Sequence, residues 1–327
     1  MESAFISRSS RNWADPLSDV LSLLKPRGYM TGGIDAGGEW CFGFEPSAGF
    51  KCFAVISGCC WLRLDAEDVT LRLEAGDFVV LTHEGGYRLA SDLDLPSMEI
   101  MSVIKEPLNG RILTWQGGGG CLGLSAIFSF GGEHASILSE VLPPVIHIRN
   151  PEDRAVLQWY VERMMKVVRE PRPGSVLMGE YLAQMMLVEV LQLHVANSAS
   201  GAVGWLFALA DRQVRAAIAA MHRAPAQRWT VQELAEQAGM SRSAFAQRFK
   251  ERVGLPAMSY LTRWRMMLAA DQLMHSKDSV AEIAFSLGYE SESAFGFAFK
   301  REMGCSPRQY GRNRALPVEE GGAESNL

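Results

Sequence analysis

Between Trp229 and Arg312 the chain nearly repeats itself, and this repeat narrows the fold more than any other feature. The first copy carries Leu234, Ala235, Gly239, Met240, Phe245, Phe249, Lys250, Gly254 and Tyr260. The second carries Ile283, Ala284, Gly288, Tyr289, Phe295, Phe299, Lys300, Gly304 and Tyr310. The offset is 49 residues up to the glycine of the turn and 50 beyond it, so the second turn holds one extra residue. Each copy predicts two short helices joined by a tight turn. Thr230 and Ser279 are suited to cap the first helix, and Ser241 the second helix of the first copy. Gly239 and Gly288 stand where the chain must turn through a left-handed residue. The pairs Phe245/Phe249 and Phe295/Phe299 are spaced i,i+4 and bury one helix face, leaving the other free.

Residues 257–274 carry Tyr260, Leu261, Trp264, Met267, Leu268 and Leu273, which predicts one long helix between the copies. It would span roughly 27 Å. That spacing holds two free helices at nearly one turn of a DNA duplex, about 34 Å. Charge points the same way. The whole chain is formally −5, but residues 208–316 hold 16 Lys and Arg against 10 Asp and Glu, a local +6 that leaves −11 elsewhere. A basic segment on an acidic chain is the part expected to meet nucleic acid.

On residues 230–245, 279–289 and 299–310 the C-terminal third resembles the DNA-binding domain of the AraC/XylS family. The resemblance covers roughly a hundred residues and implies a transcription regulator with double-stranded DNA as partner, RNA polymerase as a candidate second partner, and activation as the expected mode. The DNA-facing candidates are Arg242, Ser243, Ala246, Gln247 and Lys250 in the first unit, and Ser291, Glu292, Ser293, Phe297, Lys300 and Arg301 in the second. The family often places Arg in the groove-facing position before the Phe-Lys pair, where this chain has Gln247 and Phe297. Gln can pair with adenine, whereas Phe offers only contact with a thymine methyl. The first unit is therefore expected to carry most direct readout. Lys300 and Arg301 are expected on phosphates, positioning the second unit.

The first half reads as β structure, with short apolar runs at residues 40–44, 53–56, 61–64, 69–73, 78–81, 98–104 and 126–130 separated by Gly, Asp and Pro. Residues 15–21, 73–81 and 142–148 resemble the cupin-type sensor domain of one branch of the same family, which implies a small barrel and two dimerising helices. A metal-binding cupin needs several histidines. The chain has six in all, and only His83, with Tyr87 four residues on, lies near the barrel turns. No metal, cofactor or catalytic set is therefore expected. A small apolar effector is expected instead, with Trp40, Phe42, Phe53, Trp61, His83 and Tyr87 as candidate contacts, against the plain alternative that these aromatics fill a closed core. Residues 117–120 are four glycines without the Lys-Ser/Thr of a phosphate loop, and read as a flexible connection.

Two helices are predicted at residues 152–168 and 175–195. The second is apolar nearly all round and must be covered, either by its own chain or by a second subunit. The expected architecture is α+β and multidomain: a cupin-like sensor over residues 1–150, a helical dimerisation segment over 151–196, a linker at 197–204, an all-α domain with two helix-turn-helix units over 205–316, and a disordered tail over 317–327. The expected state is a homodimer. No secretory signal and no uninterrupted apolar stretch long enough for a membrane span is visible, which places the protein in the cytoplasm as an expectation. Six cysteines occur, at 41, 52, 59, 60, 121 and 305, without a CxxC pair. They support a rival reading, a regulator switched by thiol oxidation. A cupin enzyme fused to a DNA reader is a third.

Overall fold

The computed structural model describes residues 15–312 apart from 107, 109, 131–135 and 199–201. The expected tail from residue 317 lies outside the described residues, as does the middle of the expected linker. Among the described residues two compact units emerge, one formed by residues 24–197 and the other by residues 15–23 together with 198 and 202–312.

The chain enters through α1 (Pro16–Leu24), whose Leu17, Val20 and Leu21 are buried. The β unit follows: β1 (Arg27–Ala36), β2 (Cys41–Phe44), β3 (Phe50–Leu64), β4 (Thr70–Glu74), β5 (Phe78–Leu81), β6 (Tyr87–Ala90), β7 (Met98–Glu99), α2 (Ile100–Val103), β8 (Ile112–Trp115), β9 (Cys121–Ser129), α3 (Ser136–Ser139) and β10 (Val145–Ile148). These strands form one cupin-like sheet curved into a half-barrel. Its main path runs β7-β2-β6-β3-β9-β1-β8, with β5 joining β3 to β10 and β4 pairing with β3.

Strand β3 turns the corner of this half-barrel. Residues 50–58 pair with β9, and residues 61–64 pair with β6. Its first part is buried on both faces, and its second alternates, with Cys60, Leu62 and Leu64 inward and Cys59, Trp61 and Arg63 outward. The sequence runs at 53–56 and 61–64 are thus one strand, because Gly58, with φ +76°, lets the chain bend without breaking. The run at 98–104 forms only two strand residues before turning into α2.

Helix α4 (Pro151–Arg169) starts on Asn150, whose side chain accepts from the Glu152 N–H at 3.0 Å, with Pro151 in the first turn. Helix α5 (Ser175–Asn197) lies against β1 and α4. A Cβ at Gly28 would stand 2.8 Å from the Ala183 methyl, so glycine and alanine set the close approach. By length and composition α5 could cross a membrane. One of its faces is instead committed to the chain's own core through Leu182, Ala183, Met186, Leu187, Val190 and Leu191. The other face stays exposed: Val176 (80%), Leu177, Met178, Tyr181 and Met185, beside Val156 and Trp159 of α4.

The second unit continues with α6 (Trp205–Ala208), α7 (Arg212–Arg223), α8 (Val231–Gln237), α9 (Arg242–Val253), α10 (Ala257–His275), α11 (Val280–Ser286), α12 (Glu292–Met303) and α13 (Pro307–Arg312). Helix α10 runs unbroken across the predicted span. It contributes Tyr260, Leu261 and Trp264 to the buried interior of the first copy and Met266, Ala270 and Leu273 to that of the second.

Candidate nucleic-acid interface

Both repeats fold as helix-turn-helix units, built by the same local chemistry. In α8 the Thr230 hydroxyl accepts from the Glu233 N–H at 3.2 Å, and the Glu233 carboxylate accepts from the Thr230 N–H at 2.7 Å. Ser279 and Glu282 repeat this reciprocal cap in α11, at 3.3 and 2.7 Å. These exchanges hold both glutamates below the ordinary carboxylate range. The turn glycines take left-handed backbone, with φ +64° at Gly239 and +82° at Gly288. Gly288 has a second reason to be glycine, since a Cβ there would meet the Ala226 carbonyl at 2.2 Å. The extra residue of the second turn is Glu290. It precedes the capping Ser291 and forms an exposed ion pair with Arg228 at 2.7 Å.

The second helix of each unit, α9 or α12, is held by its phenylalanines. Phe245 and Phe249 are fully buried with ring centroids 5.4 Å apart, and Phe295 and Phe299 repeat the arrangement at 5.6 Å. Their burial fixes which faces turn outward. On α9 that face exposes Arg242, Ser243, Ala246, Gln247 and Lys250. On α12 it exposes Ser293, Phe297, Lys300 and Arg301. Phe297 is 81% exposed, an apolar ring held in water.

Several candidates carry internal duties. Ser291 is exposed but caps α12, accepting from the Ala294 N–H at 3.1 Å. Glu292 is half-buried and receives Arg308 at 3.0 Å. Gln247 donates to Glu251 at 2.8 Å, so a base contact must compete with that bond. Arg301 pairs with its neighbour Glu302 at 3.0 Å. The sequence reading missed Ala244 and Ala294, which are exposed beside the named positions. The i,i+3 spacing of Ala294 and Phe297 was the available signal.

Two buried polar groups brace the first unit. Asp211 caps α7 through the Gln213 and Val214 N–H groups and pairs with Arg248 at 2.7 Å. Burial opposes its charge, but Arg248 and the backbone donors prevail and hold the carboxyl low. His222 stacks on Trp264 with centroids 3.8 Å apart, meets the Tyr260 hydroxyl at 2.8 Å through Nε2, and meets Asp19 of α1 at 3.2 Å through Nδ1. Burial pushes its pKa below the ordinary 6.5 despite the pull of Asp19. The unfolded chain therefore binds a proton first as pH falls, and stability present above pH 6.5 is lost below it. Unfolding of the C-terminal unit is expected to shift downward by roughly 5 °C between about pH 7.5 and 5.5. His222→Gln is expected to flatten that slope in calorimetry, and an unchanged slope refutes the assignment.

The candidate effector residues lie elsewhere. Trp40 and Phe42 are buried and stacked at 5.2 Å, and Phe42 meets Trp115 at 5.6 Å. Phe53 packs over Gly123 against the same core. Tyr87 stacks on Phe44 at 4.5 Å. Trp61 falls on the outward register of β3, because Cys60 and Leu62 take the inward one. His83 accepts from the Gly85 N–H at 2.7 Å, and burial lowers its pKa. A cavity of about 10 Å³, room for one water, lies between the sheet and the helices, lined by residues including Met30, Cys52, Phe78, Leu124, Met164 and Met186.

Residues 15–196 match the model of the cupin family, and residues 234–313 that of a helix-turn-helix domain. Over 311 residues, 93% of this chain and the whole of the relative, the sequence is 39% identical to a protein of Streptomyces antibioticus named as an AraC-like transcription regulator. The chain belongs to the AraC-like transcription regulators. A second relative, from Streptomyces lividans and named likewise, is 38% identical over 310 residues, again 93% of this chain and the whole of the relative. The solved DNA-binding domain of AdpA in complex with a target DNA is 28% identical, with a TM-score of 0.32 over 33% of this chain and 98% of that one. In an AraC-like regulator the helix-turn-helix domain is the DNA-binding part.

Proposed function

We propose that this AraC-like regulator reads DNA through the exposed faces of α9 and α12. It acts as a cytoplasmic activator with RNA polymerase as a further partner, and answers to a small effector received by the β unit without metal or catalysis. The observation that carries the reading is the repeat itself. Two units with the same caps, turn glycines and phenylalanine anchors each leave one helix face unused, and α10 joins them. The test is selection of binding sites from random duplexes by the purified chain. Enrichment of two sequence blocks about one helical turn apart is expected. Enrichment of none, with affinity that depends only on salt, refutes it. For the input, Trp40 and Phe42 are already packed on one another, so an effector has to displace side chains to enter. A thermal-shift screen of apolar metabolites is expected to return a compound that raises the melting temperature of the β unit. Stoichiometric metal in the purified protein counts against this reading.

The same proposal assigns the open faces of α4 and α5 to a second copy. Val176, Tyr181, Met185 and Trp159 expose more apolar surface than a lone helical pair usually leaves in water. Sedimentation at micromolar concentration is expected to show a dimer. Tyr181→Glu is expected to weaken it by roughly 2–4 kcal/mol, or thirtyfold to a thousandfold. A monomer at every concentration, with and without DNA, refutes the pairing.

A further inference from the structure

Cys60 lies on the inward face of β3, where that strand turns the corner of the half-barrel, and Cys121 is the first residue of β9. The register pairs Gly58 with Cys121, which brings the side chain of Cys60, two residues along the same face, up to that of Cys121. The thiols are close enough to shift one another, and a proton on Cys60 turned toward Cys121 is the favoured arrangement. They belong to one apolar cluster, at 2% and 3% exposure. Cys59 is the obvious rival. It is exposed, points to the opposite side of β3, and receives an Arg72 N–H at 3.8 Å, so it cannot reach Cys121 from where it stands.

The chain leading into Cys121 is unusual. The segment before Cys121 is Gln116 followed by the four glycines 117–120, and Gln116 and the first three glycines all take positive φ. Gly117 and Gly119 have nothing within 4 Å of where a Cβ would sit. Around them the walls are backbone: a Cβ on Gly58 would meet the Gly120 carbonyl at 1.8 Å, and one on Gly37 the Gly118 carbonyl at 2.4 Å. The loop is pinned by the Gly119 N–H, which donates to Asp35 at 2.7 Å. Only a side-chain-free, solvent-facing loop therefore precedes Cys121.

We propose that Cys60 and Cys121 are a paired oxidation site, closing to a reversible disulfide when the regulator meets hydrogen peroxide. A Cys60 proton turned this way holds the Cys121 thiol below the ordinary thiol range against the burial that opposes it, and Cys60 itself is pushed up. Cys121 is thus the thiolate that attacks. Its sulfur forms a bond to one peroxide oxygen, the O–O bond breaks, and the leaving hydroxide takes a proton to become water. Cys60 then attacks the resulting sulfenic sulfur. The S–S bond forms, the S–O bond breaks, and the Cys60 proton leaves with that oxygen as a second water. Two thiols lose two electrons, and one peroxide gains them. The bridge would tie β3 to β9 at the corner of the half-barrel. This site stands independently of the effector reading.

The test is peptide mapping of the whole chain after brief peroxide treatment, with free thiols alkylated under denaturing conditions. The expected result is one crosslink joining the Cys60 and Cys121 peptides. It should be removed by dithiothreitol, retained in Cys59→Ser and lost in Cys60→Ala and in Cys121→Ala. Mapping the unaltered chain needs no variant, so a misfolded variant cannot obscure the answer. Oxidation confined to Cys59, or Cys60 and Cys121 both recovered as alkylated thiols, overturns the proposal. DNA binding measured on the same samples reports separately on regulation.

Discussion

Phe299→Ala is expected to unfold the second helix-turn-helix unit while leaving the β unit intact. Phe299 is fully buried, meeting Phe295 at 5.6 Å and, across from α13, Tyr310 at 5.5 Å. Removing a buried phenyl ring costs roughly 3–5 kcal/mol, from lost transfer free energy and from the cavity left behind. The fold around it is small: α11 and α12 have seven and twelve residues. A unit of that size has only a few kcal/mol of its own to lose. The α12 face would lose its orientation with its anchor. Calorimetry is expected to show the C-terminal transition lowered by roughly 15 °C or more, with the β-unit transition in place. Binding to a selected duplex should fall with it. Phe249→Ala tests the symmetry, because Phe249 is as buried and meets Tyr260 at 5.9 Å. A loss below about 1 kcal/mol at either position would mean the phenylalanines are not the anchors.

These elements were legible in the sequence because the repeat compares the chain with itself. The first-helix caps, turn glycines and phenylalanines each recur at an offset of 49 or 50 residues, so a coincidence at one position is checked at the other, whereas Ser291, the counterpart of the capping Ser241, reads as DNA-facing from sequence. The β half offered no such control. Ser57 and Gly58 interrupt the apolar pattern between the runs at 53–56 and 61–64, and only pairing with β9 on one side and β6 on the other reveals a single bent strand. The run at 98–104 is apolar enough for a strand, but the helix α2 was set by tertiary packing of Ile100, which period alone could not show. Strands β1, β6, β8 and β10 escaped: β1 is interrupted by Gly28, Gly32 and Gly33, and the other three are only four residues long, too short for a period to stand out. His222 shows the same limit. A lone histidine in an amphipathic helix gives no hint of the Tyr260, Trp264 and Asp19 that close around it. The Cys60–Cys121 pair depends on register, and register is not written in spacing.

Within the interface the two exposed faces differ in kind, and so should their mutants. The α9 face offers Gln247, a side chain with both a donor and an acceptor, beside Arg242 and Lys250. The α12 face offers Phe297 flanked by Ser293 and Ala294, with Lys300 and Arg301 one turn further on. A bidentate glutamine–adenine contact is worth roughly 1–3 kcal/mol of discrimination. Forming it requires Gln247 to leave Glu251, so the net gain lies toward the lower end of that range. Gln247→Ala is therefore expected to cut the preference for a selected site over a scrambled duplex by roughly tenfold. Phe297→Ala should cost less discrimination, because an apolar ring recognises only a methyl and its desolvation favours binding on many sequences. Lys300→Ala should weaken every duplex about equally and lower the salt dependence by about one counterion, the mark of a phosphate contact. Titrations of each variant against both duplexes at three salt concentrations separate these outcomes. If Phe297→Ala erases discrimination and Gln247→Ala leaves it whole, then the apolar helix is the reader, and the second unit selects thymine-rich sequence by methyl contact alone.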